Sequence, residues 1–563
     1  MIGFLKKTSV ILTILIVLSF LVRTYKLSDW LYFQADQVRN VNHVHEVLEN
    51  GWRGLPLLGP KAGGTDFHLG PLSYYLEIIP ALFFGLPHPV VVVYSNLFFI
   101  LLSILLVYYF LRQGFSRLIS LQVTTLYAFS YVVIQYSRFS WNPNSLLFWG
   151  LLFIIATYKI FQSAVDKRGR WLLVLALSYG FVSQLHTTAL IGYPAVFLFY
   201  WLYQRIDLQK VTTKEGKVDK NYFRKILFLL KSIFEKKSDK LLKINWRYWL
   251  GAVLILLVLF SPVIYYDWQN HGSNLHEFQK ALLKKSVNQK TIFQKLEREL
   301  KLMGEYYTLN LFSLNYKELG WRTKTISLSE ILGLTLLFFG WLSFWVLRPR
   351  EKIATGKDFF VLNIIWWAVF LILFLPISYQ LNQMRFWFIT FLIPYLALSG
   401  IFSWLQRKSG LTVWVLWMAI LVLNLTAVGN WYWSLEQENQ KDYFWRTATS
   451  GSLQQYDRIT YREMEEVVDY MTKNANNQKI CFKAPSKYRA SYRYILKHQH
   501  PNYLYQTVGG KISDSDFSDC VLYVIQHNNP VLSERTKLKE DLFVNSSVKV
   551  GPITVFRVDK RNR

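Results

Sequence analysis

The chain has 563 residues, 52% of them hydrophobic, with 64 Lys and Arg against 36 Asp and Glu, a formal net charge of +28. Apolar runs long enough to cross a bilayer recur through most of it, which excludes an ordinary soluble domain. The basic residues group in short loops between those runs, as membrane topology requires, and no nucleic-acid-binding motif accompanies them, so nucleic acid is excluded as a partner.

Apolar runs near 8–25, 90–111, 117–136, 145–163, 171–185, 188–203, 248–266, 330–347, 359–378, 385–405 and 411–430 predict about eleven transmembrane helices. The first run follows Lys6 and Lys7 but no small-residue cleavage site comes after it, so it reads as an uncleaved anchor. Residues 72–87 are apolar too, but Glu77 and Pro80 predict an interfacial or partly re-entrant helix. Arg112, Arg117, the Lys167-Arg168-Gly169-Arg170 cluster, Arg348, Arg350, Lys352, Arg407, Lys408 and the basic loop 204–247 all fall on one side. That asymmetry predicts a multi-pass plasma-membrane protein with a cytoplasmic N-terminus and an extracytoplasmic tail. The expected fold class is a membrane all-α bundle of about eleven helices over residues 1–430, with outer loops 26–89 and 267–329. A small extracytoplasmic α/β domain at 431–563 follows.

Unusual polar residues collect on the predicted outer side. The stretch from Tyr32 to Asn40 opens a segment in which Val38, Val41, Val44 and Leu48 share one side at helical spacing. Asp36, Asn40 and His43 take the other side, and Asn50-Gly51 supplies C-cap chemistry. This is a helix lying on the membrane. A carboxylate at that depth is costly to keep ionised without work to do, which makes Asp36 the candidate catalytic residue. Gln37, Arg39 and His43 around it are candidates for substrate contact.

Downstream, Gly63-Gly64-Thr65-Asp66-Phe67-His68-Leu69-Gly70-Pro71 lets the backbone approach a ligand and brings Asp66 and His68 to the surface ahead of Tyr74. The same residues serve equally as a loop in which Asp66 satisfies backbone amides. Between two spans, Arg138 with Asn142 and Asn144 suits bidentate binding of a phosphate oxygen. The plain alternative is a snorkelling arginine beside the interfacial anchor Trp141. His186, at the end of a span, reads first as a satisfied structural residue, and Arg385 carries the same two readings as Arg138. Tyr74, Trp141 and Tyr379 are candidates to stack on a sugar or anchor the interface.

In the tail, Thr460-Tyr461-Arg462-Glu463 is a capping-box signature for a helix running through Met471. Residues 479–483, 520–526 and 547–558 read as strands, the last turned at Gly551-Pro552. Cys481 and Cys520 are either bonded to each other or two strand-core thiols. No P-loop, HExxH or CxxC pattern occurs, so no cofactor or metal is implied. Asp36, Asp66, His43 and His68 are the groups able to gather a divalent cation.

Together these stretches resemble the GT-C superfamily of polytopic glycosyltransferases, in the family 39-like branch that includes protein O-mannosyltransferases and lipid A aminoarabinose transferases. The family pattern is a first span, then an outer loop opening with Asp-Glu and ending in a Pro-Pro-Leu-Tyr-Tyr-like stretch. Here those positions read Ala35-Asp36-Gln37 and Gly70-Pro71-Leu72-Ser73-Tyr74-Tyr75. Residues 137–144 and Gln184-Leu185-His186 with Ala189-Leu190 are also similar to prokaryotic members. The resemblance covers residues 1–200, and the later spans by general pattern. It departs at Gln37, where the family has a second acid, and at Asn142 and Asn144, where some relatives place another. The WWDYG-like motif of oligosaccharyltransferases is absent.

The resemblance implies a membrane glycosyltransferase moving one sugar from a polyprenyl-phosphate donor to a glycan, lipid or protein acceptor at the outer face. Asp36 would be the base, Arg138 and Arg385 would hold the lipid phosphate, and Asp66 and His68 would line the donor or acceptor site. The alternatives are a transporter or flippase of lipid-linked sugar, disfavoured by the lack of an internal repeat, and an inactive relative whose tail binds glycan.

Overall fold

The computed structural model describes residues 2–205, 240–241, 243–283, 290–314, 327–346, 354–381, 384–436, 459–509, 520–527 and 542–560. The basic run from Lys214 to Lys237, together with Arg348, Arg350, Lys352, Asn382 and Gln383, lies outside them.

The chain begins with α1 (Ile2–Thr24) and then α2 (Ala35–Asn50), a polar-faced helix closed by Gly51 at φ +58°. A left-handed glycine there ends the helix at the predicted place. α3 (Leu72–Phe84) has 13 residues, too short to cross a bilayer, and leads through 89–92 into α4 (Val93–Leu111). The bundle continues with α5 (Arg117–Ala128), α6 (Tyr131–Tyr136), α7 (Leu146–Gln162), α8 (Val165–Leu185) and α9 (Thr187–Arg205). After the basic loop come α10 (Trp246–Gln269), α11 (Ser273–Leu283), α12 (Ile292–Phe312), α13 (Leu328–Val346) and α14 (Ala354–Phe374). The short α15 (Met384–Trp387), α16 (Ile393–Gln406) and α17 (Gly410–Glu436) complete it.

Among the described residues, five helices are long and apolar enough to cross a membrane, in the segments 89–111, 142–162, 246–269, 357–379 and 410–436. The pair 384–390 and 393–406, bent by 50°, makes a sixth if it is one crossing. The expected count of eleven is therefore not confirmed among the described residues. The run 117–136 is broken at Phe129-Ser130 into α5 and α6, and α8 spends its first two turns on Asp166, Lys167, Arg168 and Arg170. Apolarity in these pieces serves helix-on-helix burial as much as lipid contact: 83% of the apolar stretch at 142–162 is buried inside the protein, against 6% of α10.

The predicted outer loop 267–329 also proves more structured than a loop. α12 starts with a Thr291–Gln294 capping box, and its second half is buried against α13. Gly304 and Gly333 let those two backbones touch, since a Cβ on either would strike the other helix's main chain.

The carboxy-terminal unit holds α18 (Tyr461–Asn474), α19 (Arg489–Gln499) and five strands: β1 (Ile480–Lys483), β2 (Tyr505–Thr507), β3 (Val521–His527), β4 (Leu542–Val550) and β5 (Ile553–Lys560). Sheet order is β2-β1-β3-β5-β4, with β1 parallel to β2 and β3 and the β4–β5 hairpin antiparallel. Thr460 Oγ1 accepts from Glu463 N at 3.3 Å, and Glu463 Oε2 accepts from Thr460 N at 2.7 Å, the capping box read in the sequence. Cys481 and Cys520 are joined by a disulfide.

This unit does not stand apart from the bundle. Val38, Val41, Val44 and Val47 of α2 share one apolar core with Tyr461, Met464, Val467 and Tyr494. Val47, not Leu48, completes the buried face, and Leu48 is exposed. At the start of α2, Ala35 N donates to Lys487 O, Gln34 Nε2 to Tyr488 OH at 3.1 Å, and Ser491 Oγ to Phe33 O at 2.9 Å. The helix carrying Asp36 is thus pinned from the tail side.

Candidate active site

At the α2 end of the bundle lies a cleft of about 250 Å³. Five separated stretches build it: α2, the strap 60–69, the loop 141–143, the break between α8 and α9, and the 377–386 region, with Phe278 and Ala281 of α11 at one side. Its charged side chains are one carboxylate, Asp36, and three cations, Arg39, Lys61 and Arg385.

Asp36 sits in the first turn of α2, where backbone N–H groups favour a negative charge. Arg39 Nη1 donates to its Oδ1 at 3.0 Å, and Asp36 lines the cleft. Arg39 Nη2 also donates to Asn40 Oδ1 at 3.1 Å, so the guanidinium is held on α2. Gln37 turns away from the cleft. Its Oε1 accepts from Gln34 N at 3.1 Å and its Nε2 donates to Ser140 O at 2.7 Å. A carboxylate in this place would have no proton for Ser140, which gives the amide here a physical reason.

Arg385, on α15, lies over the Trp141 ring at 5.7 Å and the Phe386 ring at 5.1 Å, within electrostatic reach of Asp36. It makes no hydrogen bond among the described residues, and its Nε is buried. With no partner among the described residues, its guanidinium donors are of the kind that can meet an anion in the cleft.

His186 occupies the break between α8 and α9. Its Nδ1 accepts from Thr188 N at 3.3 Å and lies 2.7 Å from Thr188 Oγ1. Burial, reinforced by the Arg385 charge, pushes this imidazole down to about 3. The neutral ring with Nδ1 accepting carries its proton on Nε2, making it a fixed-tautomer donor beside the cleft. Asn142 spends its amide on Leu185 O at 2.8 Å, which caps the end of α8, and lines the cleft with Trp141.

Other expected site residues fall elsewhere. Arg138 is fully buried, its guanidinium donating to Arg23 O at 2.7 Å, Tyr25 O at 2.8 Å, Lys26 O at 3.3 Å and Tyr432 OH at 3.2 Å. It closes the C-terminal end of α1, where a cation complements exposed carbonyls, and does not border the cleft. Asn144 is buried and bonds Tyr136 O and Phe139 O, shaping the loop from behind. Asp66 is 74% exposed and paired with Lys61 at 2.9 Å, which holds its carboxyl below the usual range.

His68 Nδ1 bonds Gly59 O at 2.8 Å, and its main chain exchanges two bonds with the Asn274 side chain, so it fastens the strap. His43 lies 3.6 Å from Glu46 and packs on Tyr74, outside the cleft lining. Tyr74 is buried behind Arg39, and Tyr379 is exposed on the 375–380 turn. Asp36, Asp66, His43 and His68 do not gather, and among the described residues no group of three metal-ligating side chains forms.

Lys61 and Thr188 went unnoticed in the sequence. The signal for Lys61 was the turn chemistry around it: Gly59-Pro60 and Gly63-Gly64 flank a strap in which Gly59 N bonds Leu69 O, Ala62 N bonds Phe67 O, and Gly64 takes φ +78°. That hairpin lays Lys61 and Gly63 over the cleft.

No family model and no curated protein matches the chain. Among solved structures it is similar to ArnT from Cupriavidus metallidurans in the apo state, at 12% identity over 97% of each chain with a TM-score of 0.41. It is similar to the archaeal oligosaccharyltransferase AglB from Archaeoglobus fulgidus in complex with an inhibitory peptide and a dolichol-phosphate, at 12% identity over 88% of this chain and 64% of that one, TM-score 0.45. A third is the S. cerevisiae protein O-mannosyltransferase Pmt1-Pmt2 complex bound to the sugar donor, at 15% identity over 48% of this chain and 34% of that one, TM-score 0.31. Likenesses at these identities and scores transfer no residue, ligand or reaction to this chain.

Proposed function

We propose that the chain is a membrane glycosyltransferase that moves a single sugar from a polyprenyl-phosphate donor to a glycan, lipid or protein acceptor. The observation that carries this reading is Arg385: among the described residues it is a cation bordering the cleft without a hydrogen-bond partner, within electrostatic reach of Asp36, the single carboxylate lining that cleft. An anionic leaving group and a base are the two things glycosyl transfer needs from its enzyme.

The step runs as a single displacement. Asp36 takes the proton from the acceptor hydroxyl or amine as that atom forms a bond to the anomeric carbon. The bond from that carbon to the phosphate oxygen breaks, its electron pair stays on the phosphate, and Arg385 with Lys61 stabilises the charge. His186 Nε2–H and Trp141 face the sugar. Asp36 is the single carboxylate among the described residues lining the cleft, so no second carboxylate offers a covalent intermediate there and the anomeric configuration inverts. The small enclosure suits one sugar ring with its phosphate better than a long glycan.

The cleft lies at the outer face on this reading. Two features support that orientation. The disulfide belongs to the unit pinned on α2, and disulfides persist in oxidising compartments. Arg112, at the far end of α4 from Asn96, which bonds the loop beside the cleft, stands with Arg117 at the opposite end of the bundle, where basic residues mark the cytoplasmic side.

The test is sugar transfer from a labelled polyprenyl-phosphate donor by the purified protein in lipid vesicles. Wild-type protein is expected to release polyprenyl phosphate and Asp36→Asn to bind donor without releasing it. Equal release by both would discard the assignment.

A further inference from the structure

Behind the cleft wall, three elements meet at a buried polar junction that the step above does not use. Asn40 Nδ2 on α2 donates to Glu77 Oε1 at 3.0 Å and to Ser140 Oγ at 3.3 Å. The Ser140 hydroxyl donates to the same Glu77 oxygen. Glu77, on α3, is only 4% exposed, and its Oε2 is buried with no hydrogen-bond partner among the described residues. Ser140 immediately precedes Trp141 and Asn142 of the cleft lining, and its carbonyl takes the Gln37 amide. The junction therefore sets the spacing between the helix of Asp36 and the loop of Trp141.

Among the described residues no cation is paired with Glu77. The charged group facing it from α2 is Arg39, committed to Asp36 and to Asn40 Oδ1. On α3 itself the titratable neighbour is Tyr74, with His43 and Glu46 beyond its ring. Ser140 and Asn40 bring no charge. Burying an unpaired carboxylate is far costlier than burying a carboxylic acid whose carbonyl oxygen accepts two hydrogen bonds. Burial accordingly pushes the Glu77 carboxyl up to about 7.

We propose that Glu77 is a positioning residue that works as a neutral carboxylic acid, tying α2 to the 140–142 loop so that Asp36 and the sugar-binding wall keep a fixed spacing. Its Oε1 accepts from Asn40 and Ser140 while its proton stays on Oε2. An ionised Glu77 competes with Asp36 for Arg39 and draws that guanidinium away from the cleft. The proposal rests on the transferase reading for its activity assay alone.

The experiment compares wild type, Glu77→Gln and Glu77→Ala in lipid vesicles between pH 6 and 9, by transfer kinetics and by pH-difference infrared spectroscopy. Wild type is expected to show a protonated-carboxyl band that titrates near neutral pH and is missing from Glu77→Gln. Above that midpoint wild-type turnover falls about tenfold per pH unit, while Glu77→Gln, which keeps the acceptor oxygen and stays neutral, holds its rate. Glu77→Ala loses turnover at every pH with donor KM unchanged. The proposal is overturned if no such band titrates, or if Glu77→Gln is as impaired as Glu77→Ala. Should wild type transfer no sugar at all, the transferase reading fails, and the infrared band still decides the state of Glu77.

Discussion

Arg138 and Arg385 both lie at the end of the bundle that carries Asp36, and in the sequence each stands beside aromatic residues at the edge of an apolar run. In the structure both Nη groups of Arg138 are engaged by three main-chain carbonyls and a tyrosine hydroxyl, while its Nε is buried without a partner among the described residues, and Trp30, Trp431 and Tyr432 pack around it. Arg385 has the aromatic packing but no hydrogen bond among the described residues, and it borders the cleft beside Asp36. An arginine's function is set by what its donors have already met. Carbonyls at the end of α1 engage both Nη groups of the first, whereas the second makes no hydrogen bond among the described residues, and it is the second that we propose meets the donor phosphate.

Substitutions separate the two regions, beginning with the largest effect. Asp36→Asn should lower kcat by about 10²–10⁴-fold with donor affinity kept, the usual worth of a general base, measured by single-turnover release of polyprenyl phosphate. Arg385→Ala should weaken donor binding by roughly 10–100-fold, the equivalent of one charge-assisted hydrogen bond, read by equilibrium binding of labelled donor.

Arg138→Met should leave the donor KM of the surviving protein unchanged but lower thermal stability by on the order of 3 kcal/mol, because several buried carbonyls lose their donor. A selective loss of donor affinity in that variant would erase the contrast. Asp66→Asn should change transfer by no more than about twofold, since the Lys61–Asp66 pair is solvent-exposed and such pairs contribute little.

The linkage of Glu77 supplies a pH-dependent check on the same wall. Its carboxyl titrates higher in the folded protein, about 7, than the ordinary value of 4.5. The folded state therefore holds this proton more tightly, and stability falls as pH rises from 4.5 through about 7, then levels. Glu77→Gln should remove that decline and melt higher than wild type at pH 8.

What the sequence made legible was local. The α2 helix ends at Asn50-Gly51 as its cap chemistry requires, and Thr460–Glu463 starts α18 with the expected box. The strands near Cys481 and the Gly551-Pro552 turn lie where β-branched runs and turn residues put them. Asp36, Arg39, Asn142, His186 and Arg385 were readable as candidates because each interrupts an apolar chain with a polar group.

The side-chain destinations were not legible. Asn40 reads as part of the polar face yet turns inward to Glu77, and Arg138 reads as a phosphate ligand yet caps α1, because both depend on contacts across roughly 40 to 290 residues of chain. The count of eleven crossings is not confirmed among the described residues for a related reason: apolar runs such as 117–136 fold as broken pieces buried among neighbours, which hydropathy alone does not distinguish from a crossing.

The most direct test places the donor's phosphate. A polyprenyl phosphate carrying a photoreactive group next to the phosphate, irradiated with the protein in lipid vesicles, should label the 60–65 strap and the segment around Arg385, and Arg385→Ala should lose that label. Labelling confined to the neighbourhood of Arg138 and Tyr432, with the cleft untouched, would contradict the account.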